Sequence, residues 1–429
     1  MKKNKVTILI GAGASTPFIC DDGNYLTTTY LTEALFEKSI WQNILDRFNN
    51  YKESRIDIND IFFILTKIRE LLKTTQLFKN INFESIIHLL DRVSDYLSSL
   101  TLAEHGNIDE YLIDFWGNPD LQLIQYAFRK SDHDGWIYVP FLAREVIVAS
   151  ILRLWENNKV KDKAIKSNKN FFKKLIENFE SVNIYSLNYD PLLYESLKDI
   201  NDFSCGFNRN GIFSSNDFYN VNNIIAFVHG HVGFEPLNSE MRFNNNYSNA
   251  QKNRIEGIFD ITTNNTQYWN IGMKGLHYNT YFITGLDKID AFSLNPFASY
   301  IHRFGKDIIE SKYIVLIGLS LKDYHLNAFL TNAIYISNKK IIFVTKSDAE
   351  RIKDALSGIG DNLILKLWTL FKDTVSVNMH SREDPFKTHL ENLYQSLSQN
   401  GFGELTNHII LYIKGVEDFY KEKNLIWNS

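Results

Sequence analysis

Two short segments carry side chains suited to polar and acid–base chemistry. The first is Ser186-Leu187-Asn188-Tyr189-Asp190-Pro191. The amide of Asn188 both donates and accepts hydrogen bonds, which suits it to orienting a ribose hydroxyl or a water. Asp190 has two readings. Standing before Pro191 and an apolar stretch, it fits a helix N-cap with proline at the first helical position; alternatively its carboxylate meets a ligand. The second segment is Val228-His229-Gly230-His231. An imidazole titrates near neutrality, so His229 is placed for general-base work unless a backbone carbonyl simply satisfies it. His229 and His231 would share a face of an extended segment and so suggest a metal pair. A third ligand is not evident in the sequence, so no metal is expected.

Two further segments are built from small residues. Gly11-Ala12-Gly13-Ala14-Ser15-Thr16 follows an apolar run. Small side chains let backbone N–H groups approach a phosphate, and a helix start behind them adds positive potential. The pattern is neither a full Gly-x-Gly-x-x-Gly nor a P-loop, and a tight turn is its plainer reading. Gly318-Leu319-Ser320 closes another apolar run, where Gly318 and Ser320 can border a ribose or phosphate. Asp323 either reaches a ligand or caps a helix expected over 324–330.

The elements that must position these residues are apolar runs at 6–10, 183–187, 224–228, 313–317 and 341–345. They are rich in Ile and Val and lack alternation, the pattern of parallel strands covered on both faces. In such sheets ligands bind beyond the carboxyl ends of the strands, where the segments above lie. The stretch 25–180 is too long for an ordinary crossover and reads as a helical insertion. Within it Asn82 is placed to cap a helix carrying Ile86, Leu89, Leu90, Val93 and Leu97, and 141–155 reads as an apolar central helix. The Asn-rich region 232–300 reads as loops and short elements. Helices are expected over 386–397 and 406–423. The expected architecture is α/β: a Rossmann-like parallel sheet from 1–24 and 181–370, a helical insertion over 25–180, and a helical C-terminal region over 371–429.

Composition narrows the function. The chain has 429 residues with 44% hydrophobic and 22% charged residues, ordinary globular values. A net charge of −4 does not suggest nucleic-acid binding. The apolar run behind the N-terminal lysines is shorter than the roughly 7–15 residues of a secretion signal, and no run approaches the roughly 18 residues that would suggest a membrane span. The two cysteines, Cys20 and Cys205, cannot form a disulfide framework or a four-cysteine zinc site. Low cysteine usage fits a reducing, cytoplasmic setting.

Taken in order, Gly11-Ala12-Gly13-Ala14-Ser15, Asn82-Phe83-Glu84, Asn188-Tyr189-Asp190, His229-Gly230 and Gly318-Leu319-Ser320-Leu321-Lys322-Asp323 resemble the sirtuin-like domains of bacterial antiphage defence. The resemblance spans about residues 5 to 350. It implies a domain that binds NAD⁺, with Gly11, Ala12, Gly13, Ala14, Ser15 and Thr16 at phosphates and ribose together with Gly318 and Ser320. It implies that Asn188 and His229 are needed to cleave the nicotinamide–ribose bond, and that Asp190 lies near the nicotinamide. Asp323 belongs to the same motif set. Deacylating sirtuins carry four zinc-binding cysteines and a Pro-Asp-Phe-Arg stretch after the first loop, both missing here. The implied activity is therefore NAD⁺ glycohydrolysis to nicotinamide and ADP-ribose, by a zinc-independent antiphage effector that depletes NAD⁺ when triggered. A non-hydrolytic NAD⁺ or ADP-ribose sensor and a protein ADP-ribosyltransferase are the alternatives. The resemblance also implies a homo-oligomer or a defence partner such as a HerA-like ATPase or an Argonaute-like protein.

Overall fold

The five apolar runs are strands. A computed structural model of the chain describes residues 4–15, 20–21, 24–25, 28–50, 56–74, 82–102, 138–200, 203–237, 240–257, 281–283, 295–321, 323–336, 339–347, 385–406 and 409–421. Its strands are β1 (Lys5–Ile10), β2 (Cys20–Asp21), β3 (Asn24–Tyr25), β4 (Ser181–Ser186), β5 (Phe203–Ser204), β6 (Asn223–Phe227), β7 (Phe234–Leu237), β8 (Glu240–Phe243), β9 (Tyr313–Ile317), β10 (Lys340–Val344), β11 (Phe402–Thr406) and β12 (Ile409–Tyr412). Its helices are α1 (Ala12–Ser15), α2 (Thr28–Ala34), α3 (Lys38–Asn49), α4 (Ile58–Thr74), α5 (Phe83–Leu102), α6 (Val139–Glu156), α7 (Lys161–Asn178), α8 (Leu192–Leu197), α9 (Ser215–Tyr219), α10 (Tyr247–Gly257), α11 (Phe297–Glu310), α12 (Tyr324–Ile336), α13 (Pro385–Asn400) and α14 (Val416–Lys421).

The main sheet has eight strands in the order β11-β12-β10-β9-β1-β4-β6-β5. β1 pairs in parallel with β4 on one side and β9 on the other. The parallel pairing continues outward through β6 and β5 in one direction and through β10 and β12 in the other. All six residues of β4 and all five of β6 and β9 are buried, so both faces of the sheet centre are covered, as uninterrupted apolar strands require. The chain runs from β1 to the β4 side and later returns to β9. That reversal places a topological switch point between β1 and β9, the position where open α/β sheets bind ligands. The architecture is the expected Rossmann-like one.

Apart from Tyr25 in β3, the described parts of 25–180 are helices and their short connections, with 26–27, 51–55, 75–81 and 103–137 outside the described residues. Asn82 caps α5 as expected: its Oδ1 accepts from Ser85 N at 2.9 Å, and Ser85 Oγ accepts in return from Asn82 N at 3.1 Å. That is a reciprocal capping arrangement. α6 is the central helix. Fifteen of its eighteen residues are buried, so it is surrounded rather than laid on a surface. α3 shows the contrasting amphipathic case, burying Ile40, Trp41, Ile44, Leu45 and Phe48 along one stripe.

The C-terminal region departs from expectation. The helix expected over 386–397 lies inside α13, but the one expected over 406–423 is replaced by a strand and a short helix. β12 adds in parallel to β10, β11 pairs antiparallel to β12, and only α14 is helical. Ile409-Ile410-Leu411-Tyr412 is too short for periodicity to separate strand from helix. The open edge of β10 decides in favour of the strand. Among the described residues no helix is long and apolar enough to cross a membrane.

A charge buried in α6 binds the helical region to α10 and to the segment that follows β6. Glu145 is fully buried and pairs with Arg254 of α10, with Arg254 Nε at 2.7 Å from Oε1. The Tyr281 hydroxyl donates to the same carboxylate at 2.5 Å. The Arg254 guanidinium also donates to the carbonyls of Val232 and Phe234 at 2.9 and 2.7 Å, just beyond His231. Removing one partner of such a pair strands the other's charge in the core. Arg254→Met should therefore lower the unfolding free energy by about 3–5 kcal/mol. The double variant Arg254→Met with Glu145→Gln should recover part of that loss. Urea unfolding of the four proteins checks this, and additive single losses would disprove the coupling.

Candidate functional site

The site is built where β1, β4, β6 and β9 end. Ile10, Ser186 and Ile317 share one register, and Ser186 pairs with Phe227. Asn188 and His229 therefore each lie two residues beyond paired strand ends. The ladder runs one step past the strands: Leu187 N donates to Ile10 O, Val228 N to Ser186 O and Gly11 N to Ile317 O, at 2.8–2.9 Å.

The first loop packs backbone to backbone against the loop after β9. Gly13 N donates to Gly318 O at 3.0 Å. A Cβ on Gly318 would stand 2.3 Å from Ala14 N, and one on Gly13 would stand 2.9 Å from Gly318 Cα. Gly318 also has φ +62°, open to glycine at little cost. The small residues thus serve this contact first. The N–H groups of Gly11, Gly13 and Ala14, expected to face a phosphate, are bonded to the carbonyls of Ile317, Gly318 and Gly11. Ala12, Gly13 and Ser320 remain exposed at the loop surfaces. Thr16 lies outside the described residues.

Three residues singled out separately in the sequence form one hydrogen-bonded chain. Asn188 Nδ2 donates to Gly11 O at 3.0 Å and to Ser15 Oγ at 2.8 Å. Gly11 O can only accept, which fixes the amide's orientation. Ser15 Oγ donates onward to Asp190 Oδ2 at 2.9 Å, and Asp190 Oδ1 accepts from Leu192 N at 3.0 Å. Asp190 thus anchors the start of α8 and also holds Ser15. Burial pushes its carboxyl above the usual range, against the pull of the Ser15 hydroxyl and the Leu192 N–H. Asn188 Oδ1 is buried and has no hydrogen-bond partner among the described residues.

His229 follows β6 and is buried. Its backbone is braced by Ile283 N, which donates to His229 O at 2.8 Å. Gly230 makes this possible, because at φ +100° a Cβ there would meet Tyr281 O at 2.2 Å. His229 Nε2 lies 3.6 Å from Asp323 Oδ1. Asp323 immediately precedes α12, and its loop is held in an unusual conformation. Leu321 has φ +51°, rare for a branched side chain, and Asn327 Nδ2 clamps Leu321 O at 2.9 Å. Tyr189 stacks on Phe282 and donates to Ile283 O at 2.9 Å. Burial raises its phenol well above the ordinary value, with the charges of Glu84 and Asp323 adding to the effect. Glu84, at the start of α5, thereby joins the wall of the site.

His231 belongs to the core. It sits among Phe227, Phe243 and Tyr247, and its Nδ1 accepts from Gly233 N at 3.0 Å. Burial lowers its pKa to about 3, so it stays neutral and is a poor base. His325, to which sequence reading gave no role, stands with its ring 6.1 Å from that of His229. Its only sequence signal is its place two residues after Asp323. A surface recess lined by Asn43, Arg47, Ala149, Arg153 and Gln251 lies on the helical region and shares none of these residues.

Neither protein-family models nor curated proteins match the chain.

The Asn188–Ser15–Asp190 chain predicts a pH-dependent stability effect. Because Asp190's folded pKa is raised, its contribution is fully present below the unfolded pKa and is lost as pH rises through the folded value. Ser15→Ala removes a hydrogen bond to the charged form and deepens that loss. The variant should be about 1.5–3 kcal/mol less stable at neutral pH, with the deficit shrinking in mild acid. Urea unfolding at both pH values checks the sign, and a deficit that grows in acid would overturn it.

Proposed function

We propose that the chain is a sirtuin-like NAD⁺ glycohydrolase whose substrate lies across the carboxyl ends of β1, β4, β6 and β9. The observation that carries this reading is the amide of Asn188. Its donating end is fixed on Gly11 and Ser15, while its buried accepting end has no partner among the described residues. A buried acceptor is costly to leave unmet, and a ribose hydroxyl or a water would supply the missing donor. His229 at the neighbouring strand end, beside Asp323, supplies the base.

In this reading the diphosphate passes over the exposed residues Ala12 and Gly13 of the first loop and beside the exposed Ser320, without the Gly13 N–H, which Gly318 O already takes. The positively charged nicotinamide is a good leaving group. As its bond to ribose C1′ breaks, the electron pair goes to the ring nitrogen and oxocarbenium character builds on the sugar. Asn188 orients the ribose or the water. His229 takes the proton as the water oxygen bonds to C1′. Asp323, with Oδ1 3.6 Å from Nε2, orients the imidazole. One water is consumed, and nicotinamide, ADP-ribose and one proton are released. Tyr189, held protonated by burial, shapes the wall without exchanging protons.

Incubation with NAD⁺ should release nicotinamide, followed by chromatography. His229→Ala should lower turnover by about 10²–10⁴-fold, and Asn188→Ala should abolish it, with both proteins still folded by circular dichroism. Full turnover in His229→Ala would remove the assigned base. Saturable NAD⁺ binding without nicotinamide release would instead favour a sensor.

The reading extends to an antiphage effector controlled by assembly, because unrestrained NAD⁺ loss is lethal to its own cell. Turnover should rise on homo-oligomerisation or on joining a HerA-like ATPase or Argonaute-like partner. Light scattering paired with the turnover assay tests this. A fully active monomer indifferent to any partner would remove the case for assembly control.

A further inference from the structure

His325 is surplus to the hydrolysis just described. A general base needs one orienting carboxylate, and Asp323 already supplies it to His229. Yet the loop before α12 and the first turn of that helix bring Asp323 and His325 to His229. Leu321 takes a strained positive φ, and Asn327 pins its carbonyl. One ligand atom from each of His229, Asp323 and His325 lies within 4.8 Å of the other two. Two imidazoles and a carboxylate are a donor set for borderline divalent ions, with coordination positions left for water. In a tetrahedral site with metal–ligand distances of about 2.0–2.2 Å, the ligand atoms stand about 3.4 Å apart. The 3.6 Å from His229 Nε2 to Asp323 Oδ1 already approaches that spacing. Small side-chain rotations of the half-buried Asp323 and His325 would close the set around the fixed His229. One carboxylate charge and two neutral rings also answer a doubly positive ion without burying a second negative charge.

We propose that His229, Asp323 and His325 bind a divalent transition-metal ion of the Zn²⁺ class, and that the bound ion blocks the hydrolysis proposed above. The blocking half rests on that reading of His229; the binding half does not. A lone pair of His229 donated to a metal cannot take a proton from water. The ion is therefore an inhibitor at this site, and chelation activates rather than inactivates. The pair that the sequence brings together, His229 and His231, is not the metal pair: His231 points into an aromatic core, and His325 takes its place.

The test uses the full chain, freed of metal by chelator and dialysis and then titrated with Co²⁺. One equivalent should give the visible absorption of a coordinated ion, and Zn²⁺ should displace it. His325→Ala and Asp323→Ala, confirmed as folded by circular dichroism, should each weaken Co²⁺ binding by more than about 100-fold, beyond the loss typical of outer-sphere changes. Equal binding by wild type and His325→Ala overturns the site, as does a wild type that binds no Co²⁺. With wild-type protein, Zn²⁺ should suppress nicotinamide release and excess chelator should restore it. Metal binding in a protein that never releases nicotinamide upholds the site and sinks the hydrolysis reading. Metal binding with undiminished turnover overturns the inhibitory half alone.

Discussion

The close approach of two backbones at the switch point governs how this site is assembled. β1 and β9 are neighbours, and their following loops stay in contact because Gly11, Gly13 and Gly318 have no side chains to part them. The Gly13–Gly318 hydrogen bond and the positive φ of Gly318 fix the path of the first loop. That path delivers the Ser15 hydroxyl between Asn188 and Asp190. A methyl group at Gly318 would collide with backbone, which cannot swing aside as a side chain can. The glycines are therefore structural requirements of the site before they are a surface for any ligand.

From that contact the polar chemistry follows in a connected order. Asn188 donates to Ser15, Ser15 donates to Asp190, and Asp190 accepts from the first turn of α8. In a dry interior such a chain polarises along its length and holds each member in one rotamer. Among the described residues its one unmet buried side-chain atom is the Asn188 oxygen. On the β6 side His229 is held differently, by backbone pairing with Ile283 and by Asp323 beside its ring. One side of the site is thus a satisfied network with a single vacant acceptor, and the other a cluster of titratable groups.

The helical region is part of the same body. Glu145 of α6 reaches Arg254, which grips the carbonyls of Val232 and Phe234 just downstream of His229 and His231. Arg144 of α6 forms a two-pronged pair with Asp91 of α5, the helix that presents Glu84 to Tyr189. Movement of α5 and α6 would be felt at Tyr189 and at the segment carrying His229. Such coupling ties the packing of the helical region to the geometry of the site.

Much of this was legible in the sequence, and the boundary has a physical cause. Uninterrupted Ile/Val runs marked the five central strands, because a strand covered on both faces has no polar side to show. Strand ends then marked Asn188, His229, Gly318 and Asp323, because a parallel sheet directs its chemistry to one edge. The Asn82 cap and the buried character of α6 were likewise local properties of composition and period. Four residues fitting either period left β12 unrecognised until the edge of β10 was there to receive it. Nor could the sequence tell that the amides of Gly11, Gly13 and Ala14 bind neighbouring carbonyls, that His231 turns into an aromatic core, or that His325 meets His229. Pattern and period belong to a single segment and are written in the chain itself; which hydrogen-bond donors are consumed and which imidazoles meet depend on contacts between segments far apart in sequence, and those exist only after the sheet has closed its order around β1.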